Sequence, residues 1–338
     1  PSSALPEMAK CGRLRRENAM DRSSTLLQVN HLKKYFSTPH GCLHAVDDVT
    51  FSIGEGETLG VVGESGCGKS TLGRAILRLH EPTEGEVIFN GESILSYNAA
   101  KMKKMRTQMQ MIFQDPYASL NPKMTVGQAI EAPLLIQGIY KKSQRSELEK
   151  KVEEMMDLVG LARRFVNSYP HELDGGRRQR IGIARALSLN PKFIVCDEPV
   201  SALDVSIQAQ VLNLMQDLQE KLGLTYLFIT HDLSVVRHLS DHIIVMYLGQ
   251  LVEKAPSKML FIQPQHPYTK ALLSAIPVPD PDVPMERVIL QGELTSPIDP
   301  KPGCRFAKRC AYATELCTKE TPQLREIEKD HFVACHMV

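Results

Sequence analysis

The chain has 338 residues, enough for one large domain or two ordinary ones. Apolar residues make up 43% and charged residues 23%, close to the average of folded proteins, so the composition excludes a disordered chain, a coiled coil and a collagen-like fibre. The 40 basic and 39 acidic residues give a net charge of +1, so no bulk positive field indicates nucleic acid or anionic lipid as a partner.

Residues 1–25 are polar and irregular and predict a disordered leader, with a basic arm that touches lipid or RNA as the alternative. No apolar run approaches the length of a spanning helix, and the start of the chain lacks the apolar core of a signal peptide, so we expect a cytoplasmic protein. Thiols stay reduced in the cytoplasm. A cluster among the eight cysteines would therefore indicate a metal site or a catalytic group rather than disulfides.

The first chemical signal is a glycine-rich loop between a buried-strand run at 58–62 and a helix-like stretch to Leu79. The loop reads Gly63, Glu64, Ser65, Gly66, Cys67, Gly68, Lys69, Ser70 and Thr71. This is the phosphate-loop pattern in its strand-loop-helix setting. Glycines let successive N–H groups face one phosphate, Lys69 would reach the β- and γ-phosphates, and the Ser70 hydroxyl would bind Mg²⁺.

A second set of motifs lies further along the chain. The apolar run 193–196 predicts a strand that ends in Asp197 and Glu198, one carboxylate for Mg²⁺ and one able to polarise an attacking water. The other motifs are residues 173–177 at the start of an amphipathic helix through Leu187, residues 201–204, and His231 at the end of a strand over 226–230.

In this order along the chain, the motifs resemble those of the nucleotide-binding subunits of ATP-binding cassette (ABC) transporters. The counterparts are the Walker A loop at 62–71, the Q-loop at Gln114, the signature motif at 173–177, Walker B at 193–198, the D-loop at 201–204 and the switch histidine at His231. Tyr35 stands where the family places an aromatic ring that stacks on adenine. The resemblance implies an α/β fold of the P-loop NTPase type, with a RecA-like core, a small antiparallel β subdomain and a helical subdomain that carries the signature.

The resemblance also implies an ATPase whose two ATP sites form only in a dimer. Glu198, His231 and Gln114 would act in catalysis, and Ser70, Gln114 and Asp197 would bind Mg²⁺. ATP would be bound by Tyr35, Gly63, Glu64, Ser65, Gly66, Cys67, Gly68, Lys69, Ser70, Thr71, Gln114, Asp197, Glu198 and His231. The ATP site of the partner subunit would be completed by Asp174, Gly175, Gly176 and Asp204.

The signature departs from the family pattern Leu-Ser-Gly-Gly-Gln, because Asp174 replaces the serine and Arg177 the glutamine. A carboxylate beside a triphosphate is unfavourable at low effective dielectric, so we expect slow hydrolysis at the site that this loop completes. In the alternative, Asp174 turns outward as a helix N-cap and hydrolysis is near normal. The departure also favours a related subunit, rather than a second copy, as the dimer partner.

Four of the eight cysteines follow residue 303, in a segment that resembles the C-terminal extension of the ATPases of oligopeptide and dipeptide permeases and their nickel-importing relatives. Residues 198–206 and 266–269 fit the same subgroup. Cys304, Cys310, Cys317 and Cys335 lack the tight pairs of structural zinc sites. Relatives carry a four-iron cluster in this extension, so we expect [4Fe–4S], with Zn²⁺ or uncoordinated thiols as the alternatives.

We therefore predict three parts: a leader over 1–25, an ABC nucleotide-binding domain over 26–260, and a small Cys-rich C-terminal extension over 261–338. The helical insert would cover residues 115–185, with helices predicted over 124–136 and 143–159.

The function that the resemblance implies is ATP hydrolysis that powers import of dipeptides or oligopeptides through a membrane permease. The expected partners are a second ABC ATPase subunit, two transmembrane permease subunits contacted around 114–120, and an extracellular peptide-binding protein, but not nucleic acid. The chain would lie at the cytoplasmic face of the membrane, bound to the permease. The alternatives are the same role for nickel or another small solute, a soluble ABC ATPase acting on nucleic acid or ribosomes, and an iron–sulfur protein with a vestigial ATPase.

Overall fold

The computed structural model describes residues 24–276, 288, 290, 292 and 296–338. The predicted leader lies outside these residues except at its last two positions, and so does the proline-rich stretch over 277–284. Within the described ranges, none of the helices has the length and apolar character needed to cross a membrane.

Strands and helices follow one another through most of the described chain. The strands are β1 (Thr25–Thr38), β2 (Gly41–Gly54), β3 (Thr58–Val62), β4 (Glu84–Phe89), β5 (Glu92–Ser93), β6 (Met109–Ile112), β7 (Phe193–Asp197), β8 (Thr225–Ile229), β9 (His242–Tyr247), β10 (Gln250–Pro256), β11 (Arg325–Glu328) and β12 (His331–Val333). The helices are α1 (Lys69–Ile76), α2 (Ala99–Met105), α3 (Val126–Gln137), α4 (Arg145–Leu158), α5 (Gly175–Leu187), α6 (Val205–Leu222), α7 (Leu233–Leu239), α8 (Ser257–Ile262), α9 (Pro267–Ser274) and α10 (Glu315–Lys319).

The strands form two sheets. The smaller sheet is antiparallel in the order β2-β1-β4-β5, and the larger has the order β11-β12-β10-β9-β3-β8-β7-β6. From β9 to β6 the larger sheet is parallel, and β10, β12 and β11 extend it with antiparallel pairing. Every residue of β3, β7 and β8 is buried, as expected for parallel strands covered on both faces. The predicted α/β P-loop fold with its antiparallel β subdomain is confirmed.

Helices α3, α4 and α5 form the helical subdomain between β6 and β7. Helix α3 begins with a capping box: the Thr125 hydroxyl accepts a hydrogen bond from the Gln128 backbone amide, and the side-chain oxygen of Gln128 accepts one from the Thr125 backbone amide. The buried side chains of Ile130, Met156 and Ile181 belong to the same hydrophobic core as the parallel sheet. The signature helix is therefore anchored on the strands that carry the nucleotide motifs.

The region after residue 296 adds strands β11 and β12 to the larger sheet and packs against its core. Strand β12 pairs with β10 and places Val333 opposite Glu253. The ring of Phe306 is buried, with its centroid 5.2 Å from that of Tyr247 and 5.4 Å from that of Tyr268. Because Tyr247 ends β9 and Tyr268 lies in α9, this aromatic cluster joins the extension to the parallel sheet.

A buried carboxylate lies at the same junction. The Oε1 atom of Glu253 lies 2.8 Å from His331 Nε2 and accepts a hydrogen bond of 2.8 Å from the Gln265 amide. Its Oε2 atom accepts one of 3.0 Å from the His266 amide. A buried charge is costly unless it is paired and hydrogen-bonded, so Glu253 favours the conformation in which β12 and the turn before α9 both contact β10.

We expect His266 to make the protein less stable in acid. Burial lowers the pKa of His266 to about 4, whereas a histidine in an unfolded chain titrates near 6.5. Between these values the unfolded state binds a proton that the folded state does not, so stability is lost as the pH falls. The free energy of unfolding should decrease by about 3 kcal/mol over this range.

The control is His266→Asn, because asparagine can still accept the Tyr268 amide bond with which His266 caps α9 but cannot titrate. Urea unfolding curves of both proteins between pH 6.5 and pH 4 measure the effect. Equal pH slopes for the two proteins would contradict the prediction.

Candidate nucleotide site at the carboxyl edge of the parallel sheet

Four loops meet where the parallel strands end. They follow β3, β6, β7 and β8 and carry the phosphate loop, Gln114, the pair Asp197 and Glu198, and His231. Because neighbouring parallel strands end at the same edge, these distant segments converge there. A cavity of about 450 Å³ opens at this edge, and its predicted site residues are Ser65, Gly66, Gly68, Lys69, Ser70, Thr71, Gln114, Glu198 and His231.

The phosphate loop requires glycine at two close contacts. Gly63 and Gly68 have φ values of 153° and 103°, a region that residues with a Cβ rarely adopt. A Cβ at Gly63 would collide with the carbonyl oxygen of Met246, and one at Gly68 with that of Ala45. The loop therefore curls closely against the neighbouring chain and delivers Lys69 as the first residue of α1.

Lys69 lies inside the curl of the loop. Its side chain is buried, and Nζ donates to the carbonyl oxygens of Gly63 at 2.8 Å and Glu64 at 2.9 Å. Cys67 is also buried, and burial raises the pKa of its thiol. The loop thus holds one fixed positive charge beside the amides at the start of α1, which is the arrangement of an anion site.

Asp197 lies at the end of β7 and is fully buried. Its Oδ1 atom accepts a hydrogen bond of 2.6 Å from the Ser70 hydroxyl, and Arg74 Nη2 lies 3.5 Å from its Oδ2 atom. Burial raises the pKa of Asp197, so the site around its carboxylate does not fully compensate a negative charge. A buried carboxylate beside a hydroxyl is a set of hard oxygen donors that fits Mg²⁺.

Glu198 is held by both of the other predicted catalytic residues. Gln114 Nε2 donates to its Oε2 atom at 2.8 Å, and His231 Nδ1 lies 3.3 Å from its Oε1 atom. Glu198 has a φ of 45°, which is uncommon for a residue with a side chain and occurs often at functional sites. The structure therefore brings together the three residues that the sequence singled out for catalysis.

The structure brings Phe36, not Tyr35, to the cavity. Successive residues of β1 face opposite sides, and Phe36 lines the cavity. Tyr35 instead stacks on His44, with ring centroids 3.9 Å apart, and donates its hydroxyl to Asp47. Phe36 is therefore the aromatic residue of β1 that lines the cavity, and the contact of Tyr35 with the nucleotide stays a prediction.

The signature residues lie away from the cavity of their own chain. Asp174 caps α5: its Oδ1 atom accepts from the Arg177 amide at 2.8 Å, and its Oδ2 atom accepts from Arg177 Nη1 at 2.7 Å. Gly175 and Gly176 form the first turn of α5, and Asp204 precedes α6. The geometry of Asp174 is the one that the N-cap alternative expects.

The predicted iron–sulfur cluster in the extension is wrong. Cys304, Cys310, Cys317 and Cys335 lie in one region, and the Cys304 amide donates to the Cys317 carbonyl at 2.7 Å. Yet nowhere in the described ranges do three or more His, Cys, Asp or Glu side chains form a group that could hold a metal ion, which removes the zinc alternative as well. Burial raises the pKa of Cys304 to about 11 and also raises the pKa of Cys310, so both side chains are protonated thiols near neutral pH. All seven cysteines of the described residues are free.

Two residues of the C-terminal region contact the phosphate loop at Glu64, and neither was predicted as a residue of the nucleotide site. Tyr268 Oη accepts a hydrogen bond of 2.8 Å from the Glu64 amide. The Arg309 guanidinium donates to both carboxylate oxygens of Glu64, at 2.7 and 3.1 Å. No local pattern pairs residues 245 positions apart, so the sequence offered no signal for this contact.

Comparisons with known proteins agree with this geometry. The chain matches the ABC transporter family over residues 46–201 and the C-terminal region of the oligopeptide/dipeptide transporter family over 252–317. It is 54% identical to the putative oligopeptide transport ATP-binding protein YkfD of Bacillus subtilis, over 94% of this chain and 96% of that protein. It is 52% identical to the oligopeptide transport ATP-binding protein AppF of the same organism, over 93% of this chain and 97% of that protein.

Solved structures show the same fold. The dimeric ATP-binding cassette MJ0796, in a post-hydrolysis state bound to ADP and phosphate, matches with a TM-score of 0.63 at 31% identity, covering 69% of this chain and 99% of that one. Together with relatives that are more than half identical over nearly the whole chain, these matches establish the family. The chain belongs to the oligopeptide/dipeptide group of ABC transporter ATP-binding proteins.

Proposed function

We propose that this ABC ATPase hydrolyses ATP to power the import of dipeptides and oligopeptides through a membrane permease. The observation that carries the proposal is the convergence of Lys69, Asp197, Glu198 and His231 at the carboxyl ends of the parallel strands, in a chain whose residues 252–317 match the C-terminal region of oligopeptide/dipeptide transporters. Relatives named for oligopeptide transport and peptide import favour peptides over nickel or another solute. The same names, and the absence of a metal group in the described chain, leave the nucleic-acid and iron–sulfur alternatives without support.

Binding of ATP follows from the loop. The amides of the phosphate loop and the Lys69 ammonium would bind the phosphates, and Phe36 would lie against the adenine. The Ser70 hydroxyl, the Asp197 carboxylate and the Gln114 amide oxygen would hold Mg²⁺, which neutralises phosphate charge when bound. Because these donors come from three separate loops, their spacing depends on the order of the strands.

Hydrolysis depends on the orientation of Glu198. Its carboxylate would accept a proton from the water whose oxygen attacks the γ-phosphorus, as the bond from that phosphorus to the β,γ-bridging oxygen breaks. Gln114 and His231 contact different oxygens of this carboxylate and therefore restrict its rotation. Gln114 and His231 would also lie close to the γ-phosphate, since each lines the cavity beside the phosphate loop.

The signature and D-loop residues would act on a second cassette. Asp174, Gly175, Gly176 and Asp204 lie outside their own chain's cavity, and the solved cassette MJ0796 is dimeric. We infer that they complete the ATP site of a related ABC subunit. In this arrangement residues 26–260 are the nucleotide-binding domain, 115–185 its helical insert, and 261–338 the extension that braces it.

A groove beside Gln114 would receive the permease. The cavity there measures about 630 Å³, and Phe113, Ala118 and Pro133 are among its lining residues. Phe113 and Tyr117 expose large apolar surfaces next to it, a property typical of interaction sites. The two permease subunits would hold the chain at the cytoplasmic face of the membrane, and an extracellular peptide-binding protein would supply the solute.

Glu198→Gln tests the proposed activity. The substitution removes the proton acceptor but keeps the shape of the side chain, so ATP hydrolysis should fall by about a hundredfold or more while ATP binding persists. Phosphate release and uptake of a labelled peptide into membrane vesicles should be lost together, and the ATP-bound dimer should accumulate. Glu149→Gln, on the exposed face of α4, is the control that should leave all three unchanged. Peptide uptake that continues without hydrolysis would refute the proposed function.

Phe36→Ala and Tyr35→Ala separate the two candidate aromatics. Loss of the Phe36 ring should raise the KM for ATP by about tenfold, because an aromatic contact of this kind contributes on the order of 1 kcal/mol or more. Tyr35→Ala should leave the KM for ATP nearly unchanged and lower the unfolding temperature, because the ring of Tyr35 stacks on His44 and its hydroxyl donates to Asp47. The opposite pattern of KM values would restore the sequence-based choice of Tyr35.

Asp174→Ser tests the two hypotheses on the signature. Serine keeps the N-cap but removes the charge, and the present charge is already paired with Arg177 in an exposed setting. Turnover of the assembled transporter should therefore change by less than about threefold, in line with the small energies of exposed ion pairs. An increase of tenfold or more with Asp174→Ser would support slow hydrolysis caused by the carboxylate.

A further inference from the structure

The phosphate loop carries an acidic side chain, Glu64, directly after its first glycine. Three contacts hold this residue: its amide donates to Tyr268, its carbonyl accepts from Lys69, and its carboxylate accepts two bonds from Arg309. Tyr268 and Arg309 both belong to the region after residue 260. The C-terminal region thus contacts both the backbone and the side chain of Glu64.

The Arg309–Glu64 pair is better shielded than an ordinary surface pair. The side chain of Arg309 is 9% exposed and that of Glu64 is 24% exposed. The hydrogen bonds to Glu64 raise the pKa of Arg309, and Arg309 Nη1 also lies 3.4 Å from the Tyr247 hydroxyl. A bidentate pair of this kind orders both side chains and loses less to solvent screening than an exposed one.

An unpaired Glu64 would act against the loop in two ways. Its carboxylate would add a negative charge beside the site for the anionic phosphates. It would also compete for the Lys69 ammonium, which already lies 2.9 Å from the Glu64 carbonyl oxygen. Arg309 removes both effects because it holds the carboxylate on the side of the loop that faces the extension.

We propose that Arg309 is a positioning residue for ATP binding: by pairing with Glu64, the C-terminal extension holds the phosphate loop in its nucleotide-binding conformation. This inference rests on the proposed function, since it assigns to Arg309 an effect on the ATP that the loop binds. Arg309 acts through Glu64 and touches neither the reacting atoms nor Glu198. It should therefore change the affinity for ATP and leave turnover at saturating ATP unchanged.

Arg305, four residues before Arg309, supplies a matched control variant. Its side chain is 7% exposed, and it donates to Asp47 and to the Leu248 carbonyl rather than to the loop. Loss of either arginine disturbs the packing of the extension, but only loss of Arg309 leaves Glu64 charged and unpaired. A general loosening of the extension would affect both variants alike.

The experiment measures the dissociation constant of a fluorescent ATP analogue, the KM and kcat for ATP, and thermal unfolding, all on the full chain. Arg309→Gln should weaken nucleotide binding by about tenfold, whereas Arg305→Gln should lower the unfolding temperature with an unchanged dissociation constant. Glu64→Gln removes the charge and keeps the backbone contacts of the loop, so Arg309→Gln combined with Glu64→Gln should regain most of the affinity that Arg309→Gln alone loses.

This rescue separates positioning from mere stabilisation. Equal dissociation constants for Arg309→Gln and Arg305→Gln, or no recovery in the double variant, would overturn the inference while the original protein still binds and hydrolyses ATP. Failure of the original protein to bind the analogue would overturn the proposed function instead. If Arg309→Gln does not fold, Arg309→Lys serves in its place: it should weaken binding by about threefold, and no difference from Arg305→Lys would reject the inference.

Discussion

The common carboxyl edge of the parallel strands is the constraint on which the site depends. Strand β3 lies between β8 and β9, and β8 pairs with β7, so the phosphate loop, Asp197 and His231 emerge side by side. The partly buried hydrogen bond between Ser70 and Asp197 joins residues 127 positions apart and exists only in this strand order. Strands β3, β7 and β8 are buried along their length, so a shift of any of them would expose apolar side chains or bury polar ones.

The parts that the sequence predicted well are those set by local chemistry. The run 58–62 became β3 because a short apolar stretch between turns can be buried on both faces. The loop that follows needs glycine where a Cβ would meet a carbonyl oxygen, and Gly63 and Gly68 occupy those positions. Asp197 and Glu198 could be identified because they follow a buried apolar run and take their place in the ordered set of motifs. The order and spacing of these motifs therefore predicted the fold class together with the position of the candidate site.

The parts that the sequence did not predict depend on contacts between distant segments. Which of the adjacent rings of Tyr35 and Phe36 lines the cavity depends on how β1 pairs with β2, and a local motif does not contain that information. The spacing of Cys304, Cys310, Cys317 and Cys335 contained no information on whether the thiols converge or become buried, and the cluster inferred from relatives does not match their arrangement. The docking of the extension requires Phe306 and His331 to meet residues before position 270. Hydrophobic periodicity indicates which face of a helix or strand is buried, but it does not indicate which other element packs against that face.

Two acids stand where phosphates are expected, and each has its own arginine. Asp174 is paired with Arg177 in the first turn of α5, where the carboxylate is 54% exposed and water screens the charge that the pair leaves uncompensated. Glu64 is only 24% exposed, so solvent screens its charge less. A second cationic residue within the loop would lie close to Lys69, whose ammonium already contacts the Glu64 carbonyl oxygen, and the two positive charges would repel each other. A guanidinium from outside the loop avoids that competition. The extension therefore contributes to the nucleotide site by charge placement, through a contact that its packing against β9 and α9 holds in place.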